Sequence, residues 1–194
     1  IENMVKFAKD NAIDLVMVAP DDPLVLGMVD AMEKEGIRAF GPRANAAIIE
    51  GSKAFSKELM KKYNIPTANY EVFTDSTSAI DYIKAQNTFP TVIKADGLAL
   101  GKGVIIAQNL EEAEQAVHEM IDDGKFGKSG SRVVIEEFLT GPEVSVLAFT
   151  DGKTVKPMVS AQDHKRAYDN DEGLNTGGMG TFSPSRLYDD AKAE

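Results

Sequence analysis

Lys94 to Val104, KADGLALGKGV, puts three glycines and two lysines into eleven residues, directly after the apolar run Phe89 to Ile93. Such a loop either makes a tight turn or closes backbone N–H groups around an anion. It is not a P-loop: Gly97 and Gly101 are separated by only three residues, and Gly103 stands where that motif has a hydroxyl. Gly127-Lys128-Ser129 ends like a P-loop, but Asp122 occupies the position of its first glycine, and the segment leads into a strand and not a helix. What remains is Lys94 on a strand, followed by a glycine flap between two strands that can fold down over a polyphosphate. An exposed hairpin loop has the same composition, so the motif alone leaves both readings open.

Other segments add chemistry. Ser52 can cap a helix whose first turn carries Lys53, with Lys57 one turn later. In IEEFLTGPEVSV a strand ends in Glu136 and Glu137, with Glu143 beyond a turn. These acids are either the solvated end of a hairpin, or a hinge whose backbone at Glu137 to Leu139 reads an adenine edge while Glu143 accepts ribose hydroxyls. In QDHKR, Asp163, His164, Lys165 and Arg166 set a carboxylate, an imidazole and two cations in succession, which suits an anionic substrate. NTGGMG, Asn175 to Gly180, can present backbone N–H groups to a carboxylate or phosphate. His118 falls in an acidic helical stretch and reads as a solvated residue.

Composition limits the chemistry further. With no cysteine and two histidines, thiolate metal sites, cysteine nucleophiles and histidine-rich zinc sites are excluded; any metal would be a hard cation on oxygen ligands. A formal charge of -10 argues against a general nucleic-acid or anionic-membrane surface. An anionic ligand therefore needs a local basic pocket, for which Lys94, Lys102, Lys125, Lys128, Arg132, Lys165 and Arg166 are candidates. The 194 residues are 43% hydrophobic, enough for a substantial core. No apolar run approaches the roughly 20 residues of a membrane helix, and the start lacks a signal-peptide pattern. The expectation is a cytoplasmic protein. The chain starts at Ile1 in mid-element, which reads as a piece excised from a longer chain.

These groups need a scaffold. A helix to Asn11, IDLVMVAP as a buried strand, PLVLGMVDAMEKEG as one amphipathic helix and IRAFGP as a strand give the alternation of an open parallel sheet. GPRANAAIIEGSKAFSKELMKKYNIP reads as helical, ended by Pro66. NYEVFT predicts a strand, STSAIDYIKAQ a capped helix, FPTVIKAD and GVIIAQ two strands about the glycine loop. NLEEAEQAVHEMIDDG carries Leu110, Ala113, Ala116, Val117, Met120 and Ile121 at helical spacing. SRVVIEEFL is a further strand, and EVSVLAFTDGKTVKPMVSAQ two strands about a tight Asp151-Gly152 turn. After Ala161 the pattern dissolves into a polar, glycine-rich segment.

The ordered set GPRANAAIIEGSKAFSKELM, PTVIKADGLALGKGV, RVVIEEFLTGPEVSV and AQDHKR…NTGGMG resembles the phosphoribosylamine–glycine ligase (glycinamide ribonucleotide synthetase) family of the ATP-grasp superfamily, over essentially the whole chain. The resemblance implies an α/β fold: a partial ATP-grasp fold with an α+β lid and the end of a Rossmann-like N-terminal domain. The implied parts are 1–42 for the Rossmann-like remainder, 43–67 for a helical linker, 68–137 for the lid, and 138–194 for the start of the large ATP-grasp half. It also implies a ligase of purine biosynthesis that joins glycine to 5-phosphoribosylamine with ATP and Mg2+ (or Mn2+), through glycyl phosphate.

By position, Lys53 and Lys94 resemble the phosphate lysines, with Gly97, Gly101, Lys102 and Gly103 in the flap. Glu136, Glu137, Phe138 and Leu139 resemble the adenine hinge, and Glu143 the ribose acceptor. Asp163, Lys165 and Arg166 resemble the catalytic acceptor region with Lys94, while Asn175, Thr176, Gly177 and Gly178 resemble its substrate-binding turn. Asp21, Pro23 and Leu24 of PDDPL resemble a loop facing phosphoribosylamine, where the family form is closer to PEAPL; GLNTGGMG has Leu174 where GPNTGGMG is common. The family's magnesium ligands are expected beyond Glu194 and none is assigned here, so the piece alone is expected to bind ATP weakly at best and not to turn over. Monomer or weak homodimer is the expected state, with no nucleic-acid or membrane partner. Two alternatives are a catalytically silent nucleotide-binding module and another ATP-grasp ligase of the purine pathway, such as a formyltransferase or carboxylase.

Overall fold

The structure is a computed structural model and describes residues 1–99 and 103–193. It forms two compact units, Ile1–Leu139 and Thr140–Glu194.

The first unit opens with α1 (Glu2–Asp10), β1 (Val16–Met17), α2 (Asp21–Val25), α3 (Met28–Lys34) and β2 (Ala39–Phe40). The two strands pair in parallel, Val16 with Ala39 and Met17 with Phe40. The expected buried strand IDLVMVAP is thus only two residues long, with Met17 exposed and Val18 buried beyond it. Pro20 ends the run: it has no N–H for a ladder and takes the N-cap position of α2. The expected single helix from Pro23 to Gly36 is in fact two, because Gly27 adopts φ +85 and breaks the hydrogen-bond run. PDDPL is correspondingly helical and not a loop. Ala8, Val18, Met28, Val29, Met32 and Ile37 form the core here.

Helices α4 (Ala44–Gly51) and α5 (Lys53–Lys62) meet at Ser52, whose side chain accepts the Phe55 N–H as the N-cap of α5. The helix ends at Lys62, ahead of Pro66, where Tyr63 caps it and Asn64 turns left-handed at φ +54. Beyond it lies a four-stranded antiparallel sheet of β3 (Tyr70–Phe73), β4 (Thr91–Ala95), β5 (Val104–Ala107) and β6 (Val133–Glu137), in the order β3-β6-β4-β5. Helix α6 (Ser76–Gln86) is capped by Asp75 and α7 (Leu110–Ile121) by Asn109.

Strand alternation explains what each face does. Ile93, Ala95, Val133 and Ile135 pack with Ala79, Ile83, Ala113, Val117 and Met120 of α6 and α7. Each such Ile or Val contributes about 1.5–3 kcal/mol by leaving water. The other residues of the same strands, Val92 and Lys94 on β4 and Val134 and Glu136 on β6, share the opposite face, where α5 packs against β6. His118 lies exposed on α7, against Asp122, as expected of a solvated residue.

The second unit holds β7 (Ala148–Thr150) and β8 (Val155–Pro157), an antiparallel hairpin. Its connection is four residues long, not a two-residue turn: the Asp151 carboxylate accepts the N–H groups of Lys153 and Thr154, and Gly152 adopts φ +86. The segment after Ala161, expected to be irregular, forms short antiparallel ladders. β9 (Gln162–Asp163) pairs with β12 (Thr181–Phe182), and β10 (Arg166–Tyr168) with β11 (Glu172–Asn175). Backbone pairing here does not need an apolar period, so the sequence pattern did not reveal it.

Candidate functional site

The α5-facing side of the sheet carries a buried charge cluster. The Lys94 ammonium donates to Glu136 Oε2 at 2.8 Å, and Lys57 Nζ lies 3.4 Å from Glu136 Oε1. Register explains the first pair: Val134 is the partner of Lys94 and Val92 that of Glu136, so the two side chains are diagonal neighbours on one face. Glu136 and Lys57 are each only 6% exposed. Lys57 also donates to Thr67 Oγ1 at 2.7 Å and to the Ala68 carbonyl at 3.3 Å. Its ammonium sits 5.4 Å from the Tyr70 ring centre. Burial, together with a hydrogen bond donated to Glu58, pushes the Tyr70 phenol up to about 12.

Lys53 enters the same cleft from the first turn of α5. Its backbone N–H bonds the Asp96 carbonyl, and its ammonium donates to the Gly97 carbonyl at 3.0 Å. Burial holds the Lys53 ammonium below the ordinary lysine range; Asp96 and Glu50 oppose that shift and Lys94 adds to it. A cation in that state gains from a second anion nearby. The floor is rigid because Asp96, 8% exposed, accepts from Ser52 Oγ at 2.9 Å, Ala54 N at 2.7 Å and Arg132 Nε at 2.9 Å.

The glycine loop starts from this floor. Gly97 N donates to the Ser129 carbonyl, and Ser129 Oγ donates to the Leu98 carbonyl at 3.0 Å. A Cβ on Gly97 would stand 2.5 Å from Ser129 Oγ, so any larger residue would have to displace Ser129. Gly103 is equally confined, by Ala99. Gly101 and Lys102 lie outside the described residues. The open cleft, about 440 Å³, is lined among others by Lys53, Lys57, Lys94, Glu136, Thr67 and Leu139. It offers cations at one wall and an apolar side chain at another, which suits a ligand with a charged and a flat uncharged part.

The predicted hinge residues separate by role. Glu136 is a buried counter-ion, not a solvated acid, while the exposed Glu137 is held by Asn69 through N–H and Nδ2 contacts of 2.9 and 3.0 Å. Phe138 is half-buried and Leu139 exposed. Asp21 is exposed and Leu24 packs on the N-terminal core; Asp21, Pro23 and Leu24 are not among the residues lining the cleft. Two basic-pocket candidates are already engaged, Arg132 by Asp96 and Lys125 by Glu119.

Within the second unit, Lys165 Nζ donates to Glu143 Oε2 at 2.8 Å, and that hydrogen bond raises the Lys165 pKa above its ordinary value. Thr176 donates through both N–H and hydroxyl to the Lys165 carbonyl, and the Gly178 N–H returns to Thr176 Oγ1. Arg166 donates to the Gly173 carbonyl, and Asn175 pairs with Arg166 through backbone. The ladders thus bring DHKR and NTGG side by side. Gly177 has open space where a Cβ would stand, and Gly178 adopts φ +114 with the Asp163 carboxylate nearby.

The family model described as the ATP-grasp (A) domain of phosphoribosylglycinamide synthetase matches residues 51–194, and the model of that protein's N domain matches residues 1–50. The chain belongs to the phosphoribosylglycinamide synthetase family. It is 54% identical over 98% of its length to a phosphoribosylamine–glycine ligase of Halalkalibacterium halodurans, covering 44% of that protein. It is 54% identical over 95% of its length to that of Haemophilus influenzae, covering 43%. A solved phosphoribosylamine–glycine ligase of Thermotoga maritima superposes on 76% of the chain with a TM-score of 0.71 and 41% identity, and 38% of that structure is covered. The chain therefore spans less than half the length of these phosphoribosylglycinamide synthetase relatives.

Family membership agrees with the α/β ATP-grasp reading of the sequence. Two features of the site escaped that reading. Asp96 was given no role at the end of the strand FPTVIKAD, and nothing in its neighbours announces that Ser52 and Arg132, remote in sequence, converge on it. Lys57 was read only as a helix residue; its spacing of four from Lys53 placed it on the same side of α5 and was the available signal. Among the described residues no three carboxylate, imidazole or thiol side chains gather as a metal site.

Proposed function

We propose that the chain is the ATP-binding part of a phosphoribosylamine–glycine ligase, an enzyme of purine biosynthesis that joins glycine to 5-phosphoribosylamine. The observation that carries this reading is the cleft lined by Lys53 and Lys94, from a helix and a strand, with Lys53 donating to the Gly97 carbonyl at the start of the glycine loop. The chain's high identity to ligases of that name supplies the substrate class.

In this reading Lys53 and Lys94 bind the ATP phosphates and offset charge as it spreads over the transferred group. Gly97 and Gly103 bound the glycine flap that the family resemblance assigns to the nucleotide phosphates. Backbone groups of Glu137 to Leu139 meet the adenine edge, Leu139 adds an apolar wall, and Glu143 accepts from the ribose. A glycine carboxylate oxygen attacks the γ-phosphorus and the bond to the bridging oxygen breaks, giving ADP and glycyl phosphate. The phosphoribosylamine nitrogen then attacks the glycyl carbonyl, phosphate leaves, and one proton is lost. Asp163, Lys165, Arg166 and the Thr176–Gly178 turn hold the acceptor substrates, and Asp21, Pro23 and Leu24 face phosphoribosylamine. The described residues do not by themselves make the magnesium or manganese site that the family resemblance implies.

A cytoplasmic enzyme, monomeric or a weak homodimer, is part of the proposal. No helix among the described residues is long and apolar enough to cross a membrane. The test is ADP release by the full-length ligase carrying these residues. It should require both glycine and phosphoribosylamine, be unsupported by formate or bicarbonate, and fall by about 100-fold or more in Lys94→Met. Nucleotide binding with no turnover on either acceptor would mean a silent module instead.

A further inference from the structure

Lys57 lines the cleft, yet its ammonium is held by protein: it donates to Thr67 Oγ1 at 2.7 Å and the Ala68 carbonyl at 3.3 Å, and Glu136 Oε1 lies 3.4 Å away. Two of the three N–H bonds of the ammonium are thus taken, and the contact with Glu136 is an ion pair. The residue is only 6% exposed. Lys94 differs: its side chain is 27% exposed, and among the described residues its ammonium has one protein partner, Glu136 Oε2.

Glu136 is the link. Its side chain is 6% exposed, and a carboxylate that deep must be paired, since an uncompensated buried charge is strongly unfavourable. If Lys94 were its sole counter-ion, drawing Lys94 to a phosphate would strand that carboxylate. With Lys57 fixed on the other oxygen, Lys94 can move without doing so.

We propose that Lys57 is a positioning residue for Lys94, acting through Glu136: it holds the carboxylate as a permanent counter-ion, so that Lys94 can be transferred to an anionic ligand. The inference rests on the reading above that Lys94 meets the ATP phosphates. Lys57 itself touches no substrate. Its charge, not its bulk, performs the task, so a neutral side chain of similar length removes the function while leaving most of the packing.

The experiment compares KM for ATP and for glycine in the full-length ligase carrying these residues. Lys57→Met should raise KM for ATP by about tenfold or more while KM for glycine stays within about twofold. Combining Lys57→Met with Glu136→Gln removes the charge that competes for Lys94, and should recover most of that loss even if thermal stability is not recovered. A purely structural Lys57 predicts the reverse: a lower Tm with unchanged KM for ATP, or a double variant no better than the single one. Either result overturns the proposal. Should Lys57→Met fail to fold, Nζ resonances of 15N-lysine in the unaltered enzyme decide. Saturating ATP must shift Lys94 and leave Lys57 nearly unmoved; an equal shift of both would make Lys57 a direct ligand and also overturn it. Lys94→Met serves as the control, because an unchanged KM for ATP in that variant means that the phosphate-site reading itself has failed.

Discussion

Asp96 and Arg132, thirty-six residues apart, meet as a clamp at the foot of the glycine loop, with Arg132 Nε 2.9 Å from Asp96 Oδ2. The same carboxylate receives Ser52 Oγ and the Ala54 N–H, so one buried group joins the start of α5, the end of β4 and the approach to β6. Arg132 is 42% exposed and its pairing is partly screened by water, whereas Asp96 is nearly enclosed. The weight of the clamp therefore rests on Asp96.

Asp96→Ala should destabilise the first unit by about 2–4 kcal/mol, because it leaves a buried hydroxyl, a helix N–H and a guanidinium without their acceptor. Arg132→Met should have a smaller effect. Urea unfolding of both variants measures the difference, and an equal loss would contradict the ranking.

Lys53 provides a pH signature. Its folded pKa is depressed by burial, so between that value and 10.5 the unfolded chain holds more protons than the folded one. Stability should accordingly rise with pH across that alkaline window, and the increment should vanish in Lys53→Met. A phosphate beside Lys53 reverses the shift. ATP binding in that window should therefore take up protons, seen by titration calorimetry in buffers of differing ionisation enthalpy, and Lys53→Met should abolish the uptake.

Gly97→Ala forces a Cβ to within 2.5 Å of Ser129 Oγ and 3.1 Å of Ser129 Cα. Displacing the loop foot should be unfavourable by about 1–3 kcal/mol and weaken ATP binding more than it lowers Tm. Adding Ser129→Gly removes the closest clash and should restore part of the affinity; no restoration would place the effect elsewhere.

Ile93 and Lys94 are adjacent but face opposite ways. Ile93→Ala, at a fully buried position, should lose about 2–5 kcal/mol of stability while KM for ATP stays near its parent value at temperatures where the protein is folded. Calorimetry and steady-state kinetics on one sample test both halves.

Most of the secondary structure was legible because its signals are local. Helix α7 announces itself by apolar residues at helical spacing and an asparagine cap, and β4 and β5 by apolar runs on either side of the glycine loop. The readings that failed also failed for local reasons. A left-handed Gly27 splits one expected helix, and a two-residue parallel ladder replaces a longer strand. The DHKR and NTGG segments look irregular in sequence because their order comes from backbone pairing, which leaves no side-chain period.

By itself the sequence determined which residue types were available: lysines beside glycines, a strand ending in two acids, a cap one residue before Lys53, and the absence of any thiol. It also carried the family motifs in their order. Only the tertiary structure decided which charges meet. Glu136 and Glu137 are neighbours of the same type, yet the pleat turns one toward Lys94 and Lys57 and the other toward Asn69. Sheet register and the docking of α5 determine that choice, and both are set by contacts between residues far apart in the chain.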